Sequence, residues 1–549
     1  MSPLRCSWAA RLPDPLRAPL ALFILLAACS SADTGANEGS SSSNDSSPQS
    51  SASGGGGGDD TAKGGSDEGT GVPDSAGGSD EGSTSSESPD PSSPPPDEPR
   101  PDPEPGTDDV VESEFPFIPG CDTEHPLQLQ LRTFDAGASS SPAQVRDAAL
   151  GNWVSLTGIG IRAWEFFNYY TFDYPAADLP GNLVITPGLE QDGDEYVLQI
   201  GVRTHVLPAE QRPPVRLTLA LDNSGSMEGK PLELMRATGK AIAASLRSGD
   251  VISIVTWNTS EQVILESHPV SGPDDPALLA KLDNLEVGGS AELLSALSGA
   301  YKLAEADYDP LAWNRVILVS DGGASADAAD LELIASYPDI DLVGVGVADP
   351  GVYRSDLMDT VAHAGRGPSL FIGSDAEAKR QFGEHFIRHL GSAVRDVALH
   401  VELPPGFELV RDDADGLIAD AGNGEPSVRL APGDSLVVHR RLRTCAMELP
   451  ESTKLTVKVQ YVDELTDQPK EVWASSTFSS LLAEHTPAEA KGIAVKAYTA
   501  ALEKWQTRPA ELADVLAKAV SLLDDAQKLQ PNDPELAEMA AVIAVLVAE

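Results

Sequence analysis

Positive charge is scarce in this chain. Lys and Arg number 38 against 85 Asp and Glu, giving a formal net charge of −47 over 549 residues. That balance excludes a nucleic-acid-binding face, which needs a basic stripe, and adsorption to anionic lipid through charge alone. It favours solubility and draws cations. Long apolar runs are missing as well. Leu20–Leu26 and Leu536–Ala548 both fall short of the ~20 residues of a membrane-spanning helix. Aromatic residues make up only 5%; the most aromatic stretch is Arg162–Pro175 (RAWEFFNYYTFDYP), where the expected role is core packing. The length allows three or so folded units.

The amino terminus carries Arg5, Arg11 and Arg17 ahead of the short apolar run and then small residues, so residues 1–28 read as a secretion signal. Leu26-Ala27-Ala28-Cys29 resembles the bacterial lipobox, which implies that Cys29 is lipid-modified and becomes the first mature residue. Ser30 stands where the inner-membrane retention signal of Gram-negative lipoproteins has Asp, so the resemblance implies an envelope location and favours anchoring at the outer membrane. Of the four cysteines, Cys6 lies in the signal and Cys29 carries the lipid. Cys121 and Cys445 remain, an even pair in an oxidising compartment, and a disulfide between them is expected to tie the start of the folded part to a later domain. Residues 29–115 are dominated by Ser, Gly, Asp, Glu and Pro and have almost no aliphatic residues, so they cannot bury enough surface to offset ordering entropy. A disordered tether is expected, with a coil dimension of ~50 Å for roughly 85 residues. It has no fixed period of the kind a Ca²⁺-binding repeat needs.

The chemistry of the chain concentrates in Val215–Gly229, VRLTLALDNSGSMEG. Its first half is a β-branched apolar run, which predicts a buried strand. Beyond it, Asp222, Ser224 and Ser226 stand at alternate positions, so in an extended loop their side chains point the same way. A carboxylate and two hydroxyls are hard oxygen ligands suited to Mg²⁺. The same residues would also serve simply to cap the helix that follows. DNSGSM resembles the first segment of the metal-ion-dependent adhesion site of von Willebrand factor type A domains, Asp-x-Ser-x-Ser. Asp321 before Gly322 matches the last segment of that site, at the end of the predicted strand Arg315–Ser320. The middle segment departs from the pattern. Gly288-Gly289-Ser290-Ala291-Glu292 puts Ala291 where the family has a liganding Thr, leaving Ser290 as a weak candidate after a one-residue shift and Glu292 as another nearby oxygen. The resemblance thus implies a site for Mg²⁺, with Mn²⁺ or Ca²⁺ as alternatives, held by Asp222, Ser224, Ser226 and Asp321.

Alternating strands and helices from 214 to 392 predict a doubly wound α/β domain with a mostly parallel sheet. Residues 116–213 are expected to form a separate α+β region, 393–480 a small β-sandwich, and 481–549 a helical segment broken near Arg508-Pro509 and Pro531–Pro534. The flanks resemble those of bacterial A-domain lipoproteins, whose pre-domain aromatic segment and "L-x-IG" strand match Arg162–Pro175 and Leu198–Val202. Glu384, His385 and His389 do not fit the HExxH zinc pattern, because the Glu precedes the first His, and an exposed helix face is expected there. Three functions follow. The leading one, implied by the resemblance, is a binding module whose metal is completed by an Asp or Glu carboxylate of a protein partner. The second is a structural envelope scaffold with a degenerate, metal-free site. The third, a hydrolase using Ser224 or Ser226 with His363 as base, lacks the Gly-x-Ser-x-Gly elbow, and a non-enzyme is expected.

Overall fold

The structure, a computed structural model, describes residues 122, 124–133, 137–151, 155–410, 417–418, 429–445 and 451–548. The expected secretion signal and linker, with Cys29 and Cys121, lie outside the described residues.

The described chain begins with strand β1 (Leu127–Thr133), helices α1 (Ser140–Leu150) and α2 (Ala163–Tyr169), and the hairpin β2 (Leu183–Asp192) and β3 (Glu195–Thr204). The α/β domain follows as β4 (Val215–Asp222), α3 (Lys230–Ser245), β5 (Val251–Trp257), β6 (Glu261–Pro269), α4 (Pro276–Asp283) and α5 (Leu293–Ala306). It continues with β7 (Trp313–Ser320), α6 (Ala328–Ala335), β8 (Asp341–Val347), α7 (Asp356–Ala364), β9 (Arg366–Ile372), α8 (Asp375–Lys379) and α9 (Phe386–Leu390). After it come β10 (Val394–Leu403), β11 (Phe407–Val410), β12 (Leu417–Ile418), β13 (Ser435–Thr444), β14 (Lys454–Asp463) and β15 (Gln468–Thr477), then α10 (Phe478–Ala483), α11 (Pro487–Thr507), α12 (Leu512–Leu529) and α13 (Pro534–Ala548).

The α/β domain has the expected von Willebrand factor type A-like architecture. Its sheet runs β6-β5-β4-β7-β8-β9, parallel throughout except for β6, which pairs antiparallel with β5 at one edge. The central strands are apolar on both faces, as a sheet covered on both sides requires, and all eight residues of β7 are buried. Alternation divides β4 between two cores. Leu217, Leu219 and Leu221 pack with Leu234, Ile242 and Leu282 of α3 and α4, while Ala220 joins Val255, Leu297, Tyr301 and Met358 beneath α5 and α7.

The second of these cores does not stop at the α/β domain. It continues through Phe166, Tyr170 and Phe172 to Tyr498, Leu502, Leu523, Met539 and Ile543 of the carboxyl-terminal helices. The aromatic segment therefore packs as core, as expected. Tyr174 is hydrogen-bonded there as well, its hydroxyl accepting from Gln199 Nε2 at 2.6 Å. The three terminal helices break at the expected places. A capping box of Thr486 and Glu489 starts α11, and Arg508 ends it in the left-handed region, at φ 50°. Helix α13 packs Leu536, Met539, Val542 and Ile543 inward. Among the described residues no helix is long and apolar enough to cross a membrane.

The flanking regions differ from expectation. Residues before and after the α/β domain do not form an α+β region and a separate sandwich; they build one sandwich together. Its five-stranded sheet runs β12-β1-β10-β14-β15 and its four-stranded sheet β11-β13-β3-β2. Leu129 of β1 lies opposite Val401 of β10, and Ile200 of β3 opposite Val438 of β13. The shared core between the sheets takes Leu198, Ile200 and Val202 from one flank and Val401, Val438, Val457 and Val459 from the other. Alternation in a strand says which side chains share a face, not which distant strand supplies the hydrogen bonds, so this pairing was hidden in the sequence. The α/β domain is thus an insertion between β3 and β10.

A second correction concerns His385 and His389. The expected single helix is interrupted by a π-helical turn at Arg380–Glu384, which rephases the faces on either side. His389 is consequently buried, its Nε2 2.7 Å from Gln381 Oε1, and its imidazole is held neutral by desolvation, well below the usual histidine range. His385 is only part-exposed, and burial pushes it down to about 3.

Candidate functional site

Strand β4 delivers Asp222 to the carboxyl end of the sheet as its last residue, fully buried. The chain then turns away from the sheet. Asn223 N–H donates to the Trp257 carbonyl at the end of β5 (2.9 Å), and Asn223 Nδ2 donates to the Glu286 carbonyl (3.0 Å). These bonds fix the loop between two strand ends, in the crevice where open α/β sheets bind ligands. Ser224 N–H donates to Asp222 Oδ1 at 2.9 Å, and the Ser224 and Ser226 hydroxyls lie 3.1 Å apart. Ser224 is buried and Ser226 exposed, so the pair leads from the base of the crevice to its rim.

The middle loop docks directly on this turn. Gly225 N–H donates to the Gly289 carbonyl (3.0 Å) and Gly288 N–H to the Asn223 carbonyl (2.8 Å). Gly289 has φ +83°, and a Cβ there would come within 2.8 Å of Thr259 Oγ1, so this position requires glycine. The close approach brings Ser290 to the rim, where it turns to Thr259: Ser290 N–H donates to Thr259 Oγ1 (3.2 Å), and the two hydroxyls are 3.4 Å apart. Ala291 packs its methyl against the apolar core, and Glu292 is exposed, its N–H bonded to the Asn258 carbonyl (2.9 Å).

Strand β7 brings the third segment. Ser320 Oγ donates to Asp222 Oδ2 at 2.7 Å, and Asp321 Oδ1 accepts from Gly323 N–H at 2.8 Å. Gly322, at φ +82°, lies so close to the Arg354 carbonyl that a Cβ would approach it to 2.7 Å. Burial raises the Asp222 carboxyl above its usual range, the Ser320 and Ser224 bonds pull it back, and the negative charge of Asp321 pushes it up further. A cation between these oxygens would offset both the desolvation and the mutual repulsion of the two acids.

Asp222, Ser224, Ser226 and Asp321 are therefore brought to one crevice, whereas Ser290 bonds to Thr259 at its edge. Their hard-oxygen chemistry fits Mg²⁺ or a similar ion. Among the described residues there is no cluster of three or more His, Cys, Asp or Glu suited to a metal; the set here has two acids, and hydroxyls supply the rest. Sequence reasoning missed Ser320 and Thr259. Ser320 directly precedes Asp321 at a strand end, which was a usable signal, while nothing in the sequence marked Thr259. Cys445 is disulfide-bonded. Its expected partner Cys121 is outside the described residues, but the adjacent Asp122 accepts from Gly406 N–H (2.8 Å), and the Gly406 carbonyl accepts from Cys445 N–H (3.0 Å).

Comparison with known proteins covers this region. A sequence profile of the von Willebrand factor type A domain matches residues 217–324, a span containing Asp222, Ser224, Ser226, Ser290 and Asp321. The uncharacterised Escherichia coli protein YfbK is 25% identical over 267 residues, 45% of this chain and 45% of the relative. An uncharacterised Synechocystis protein, sll0103, is 24% identical over 217 residues, 39% of this chain and 50% of the relative. The chain thus spans about half the length, or less, of these curated relatives. Among solved structures, a von Willebrand factor type A protein from Catenulispora acidiphila aligns at 16% identity with a TM-score of 0.42, covering 64% of this chain and 87% of its own. The ArnB paralog VWA2 from Sulfolobus acidocaldarius aligns at 14% identity with a TM-score of 0.35, covering 66% and 97%.

Proposed function

Because the chain carries a von Willebrand factor type A domain, in general a protein-interaction module, we propose that it binds a protein partner through a metal ion. In this reading Asp222, Ser224, Ser226 and Asp321 hold the ion, directly or through water, and a position left open at the rim takes an Asp or Glu carboxylate of the partner. The observation that carries it is the pair of hydroxyls 3.1 Å apart, leading outward from a buried carboxylate whose proton affinity a second acid raises. The metal also explains how a body of such negative charge could take an acidic ligand, since the cation bridges the two carboxylates. Binding rather than catalysis is favoured because the two serine hydroxyls pair with each other. Labelling of Ser224 or Ser226 by a serine-reactive phosphonate would overturn that part of the reading.

We further propose that Cys29 carries a lipid and anchors the chain to the bacterial envelope, at the outer membrane. A Cys29→Ser chain should leave the membrane fraction; one that stays would refute the anchor.

A second reading is an envelope scaffold with a metal-free site. It is favoured by Ala291, whose methyl packs on the core, and by Ser290, which bonds to Thr259. Mg²⁺ and Mn²⁺ titration of the full chain, followed by calorimetry and thermal melting, separates the readings. A live site stabilises the fold by mass action, about 2.7 kcal/mol at a hundredfold excess over Kd. Ser226→Ala, which changes an exposed hydroxyl, should weaken the response without altering the metal-free melt. No response at millimolar metal would put the scaffold reading first.

A further inference from the structure

We propose that Arg354 is a second anchor for the partner, so that the site selects an acidic segment presenting two carboxylates, one for the metal and one for this guanidinium. The inference rests on the metal-site reading above and adds to it the chemistry of the ligand.

Three observations converge. The first is the idleness of this arginine. In a chain with more than twice as many acids as bases, every other arginine whose side chain is described is held by a carboxylate, a carbonyl or an aromatic ring. Arg162, Arg212, Arg315, Arg366 and Arg388 pair with carboxylates, Arg236 and Arg247 donate to carbonyls, and Arg508 sits over Trp505. Among the arginines whose side chains are described, Arg354 alone makes none of these contacts, and it is exposed. An exposed, uncommitted guanidinium retains its bidentate capacity for a carboxylate.

The second is its place. Arg354 lies in the loop after β8, at the same carboxyl edge of the sheet as the crevice. Its carbonyl presses on Gly322, the residue after Asp321. A ligand coordinated beside Asp321 and continuing over the Asp321–Gly322 turn would meet this loop.

The third is that the loop is braced. Tyr353 is buried, and its ring packs so closely under β8 that a Cβ at Gly346 would fall 2.1 Å from it. Ser355 Oγ accepts from Arg162 Nη2 at 2.9 Å, and the neighbouring guanidinium nitrogen holds Asp359 on α7 at 2.8 Å. Residues on both sides of Arg354 are thus fixed while its own side chain is not, so little ordering of the loop is needed when a ligand arrives. Val352, at 66% exposure, adds an apolar contact that would exclude water from the same edge.

The test uses the full chain in 10 mM Mg²⁺ and 150 mM salt, where long-range repulsion is screened. The probes are a fluorescein-labelled hexaglutamate peptide and the same peptide with five of its Glu replaced by Gln, read by fluorescence polarisation. Wild type is expected to bind hexaglutamate more tightly than the single-Glu peptide, and EDTA to abolish both. Arg354→Gln should weaken hexaglutamate binding about fivefold and Arg354→Glu more, the range of a favourable partly exposed pair. Arg354→Gln should leave the affinity for the single-Glu peptide and for Mg²⁺ unchanged. If Arg354→Gln binds hexaglutamate as wild type does while Ser226→Ala loses it, the second anchor is wrong and the metal site stands. If no Mg²⁺-dependent binding occurs with wild type, the metal-site reading and this inference fall together.

Discussion

The inserted α/β domain and the sandwich that carries it solve the same problem, burying a sheet, in opposite ways. In the α/β domain every parallel strand except β5, which turns straight into β6, is followed within a short span by a helix that covers the sheet, and β7, β8 and β9 lie side by side with only helices and loops between them in sequence. The sandwich closes over a gap of nearly its whole neighbour: β3 ends at Thr204 and β10 begins at Val394, yet strands from both flanks pair along their lengths. One region is specified by local pattern, the other by long-range partnering whose loop-closure cost must be met before any ladder forms. The inserted domain, already folded, would hold the two flanks near each other and lower that cost.

If the two regions are this different, mutations should separate them. The largest effect is expected at the junction. Arg212, just before β4, pairs with Asp250, both nearly fully buried, with Nη2–Oδ2 at 2.6 Å; Asp250 Oδ1 also accepts from Val215 N–H. Asp250→Ala leaves a buried guanidinium and a backbone donor unpaired, at a cost of about 3–5 kcal/mol, which thermal melting should show as an early loss of the α/β domain. Next come matched core deletions. Ile200→Ala in β3 and Ile254→Ala in β5, both wholly buried, should each cost about 2–5 kcal/mol. Far- and near-ultraviolet circular dichroism in urea should place the loss in different transitions; identical single transitions would mean one cooperative unit and would break the comparison.

A smaller effect tests the bridge between the regions. Glu165, fully buried, pairs with Arg162 at 2.7 Å and accepts from Ser141 N–H, and burial raises its carboxyl to about 7. The folded state then holds this proton at pH values where the unfolded chain has released it. Stability contributed by Glu165 is present below about pH 4.5 and is lost as pH rises toward 7, by about 3 kcal/mol at most. Glu165→Gln should flatten that part of the difference in melting between the two chains over the same window. The smallest effect is Ser290→Ala. Its side chain is exposed and makes one long contact with Thr259, so a stability change below about 0.5 kcal/mol is expected, with unchanged Mg²⁺ affinity by calorimetry.

What could be read from the sequence follows the same division. Asp222, Ser224, Ser226 and Asp321 were legible because each lies at the end of a strongly apolar strand, and the parallel sheet follows from local alternation of strand and helix. The sandwich was misread as two regions because the pairing of Ile200 with Val438 leaves no trace in either strand alone. The exposed face expected for His389 fails because the π-helical turn at Arg380–Glu384 interrupts the regular helical period. Thr259 was invisible for a different reason: its part depends on Gly289 approaching it from a loop some thirty residues away.

The insertion also fixes how force would travel. The chain leaves the sandwich from β3, in the four-stranded sheet, and re-enters it at β10, in the five-stranded one. A pull on the inserted domain is therefore divided between two sheets rather than unzipping one hairpin from its end. Each connection loads a strand flanked on both sides, β3 by β2 and β13, β10 by β1 and β14. The inserted domain is thus joined to the sandwich so that both sheets share the load.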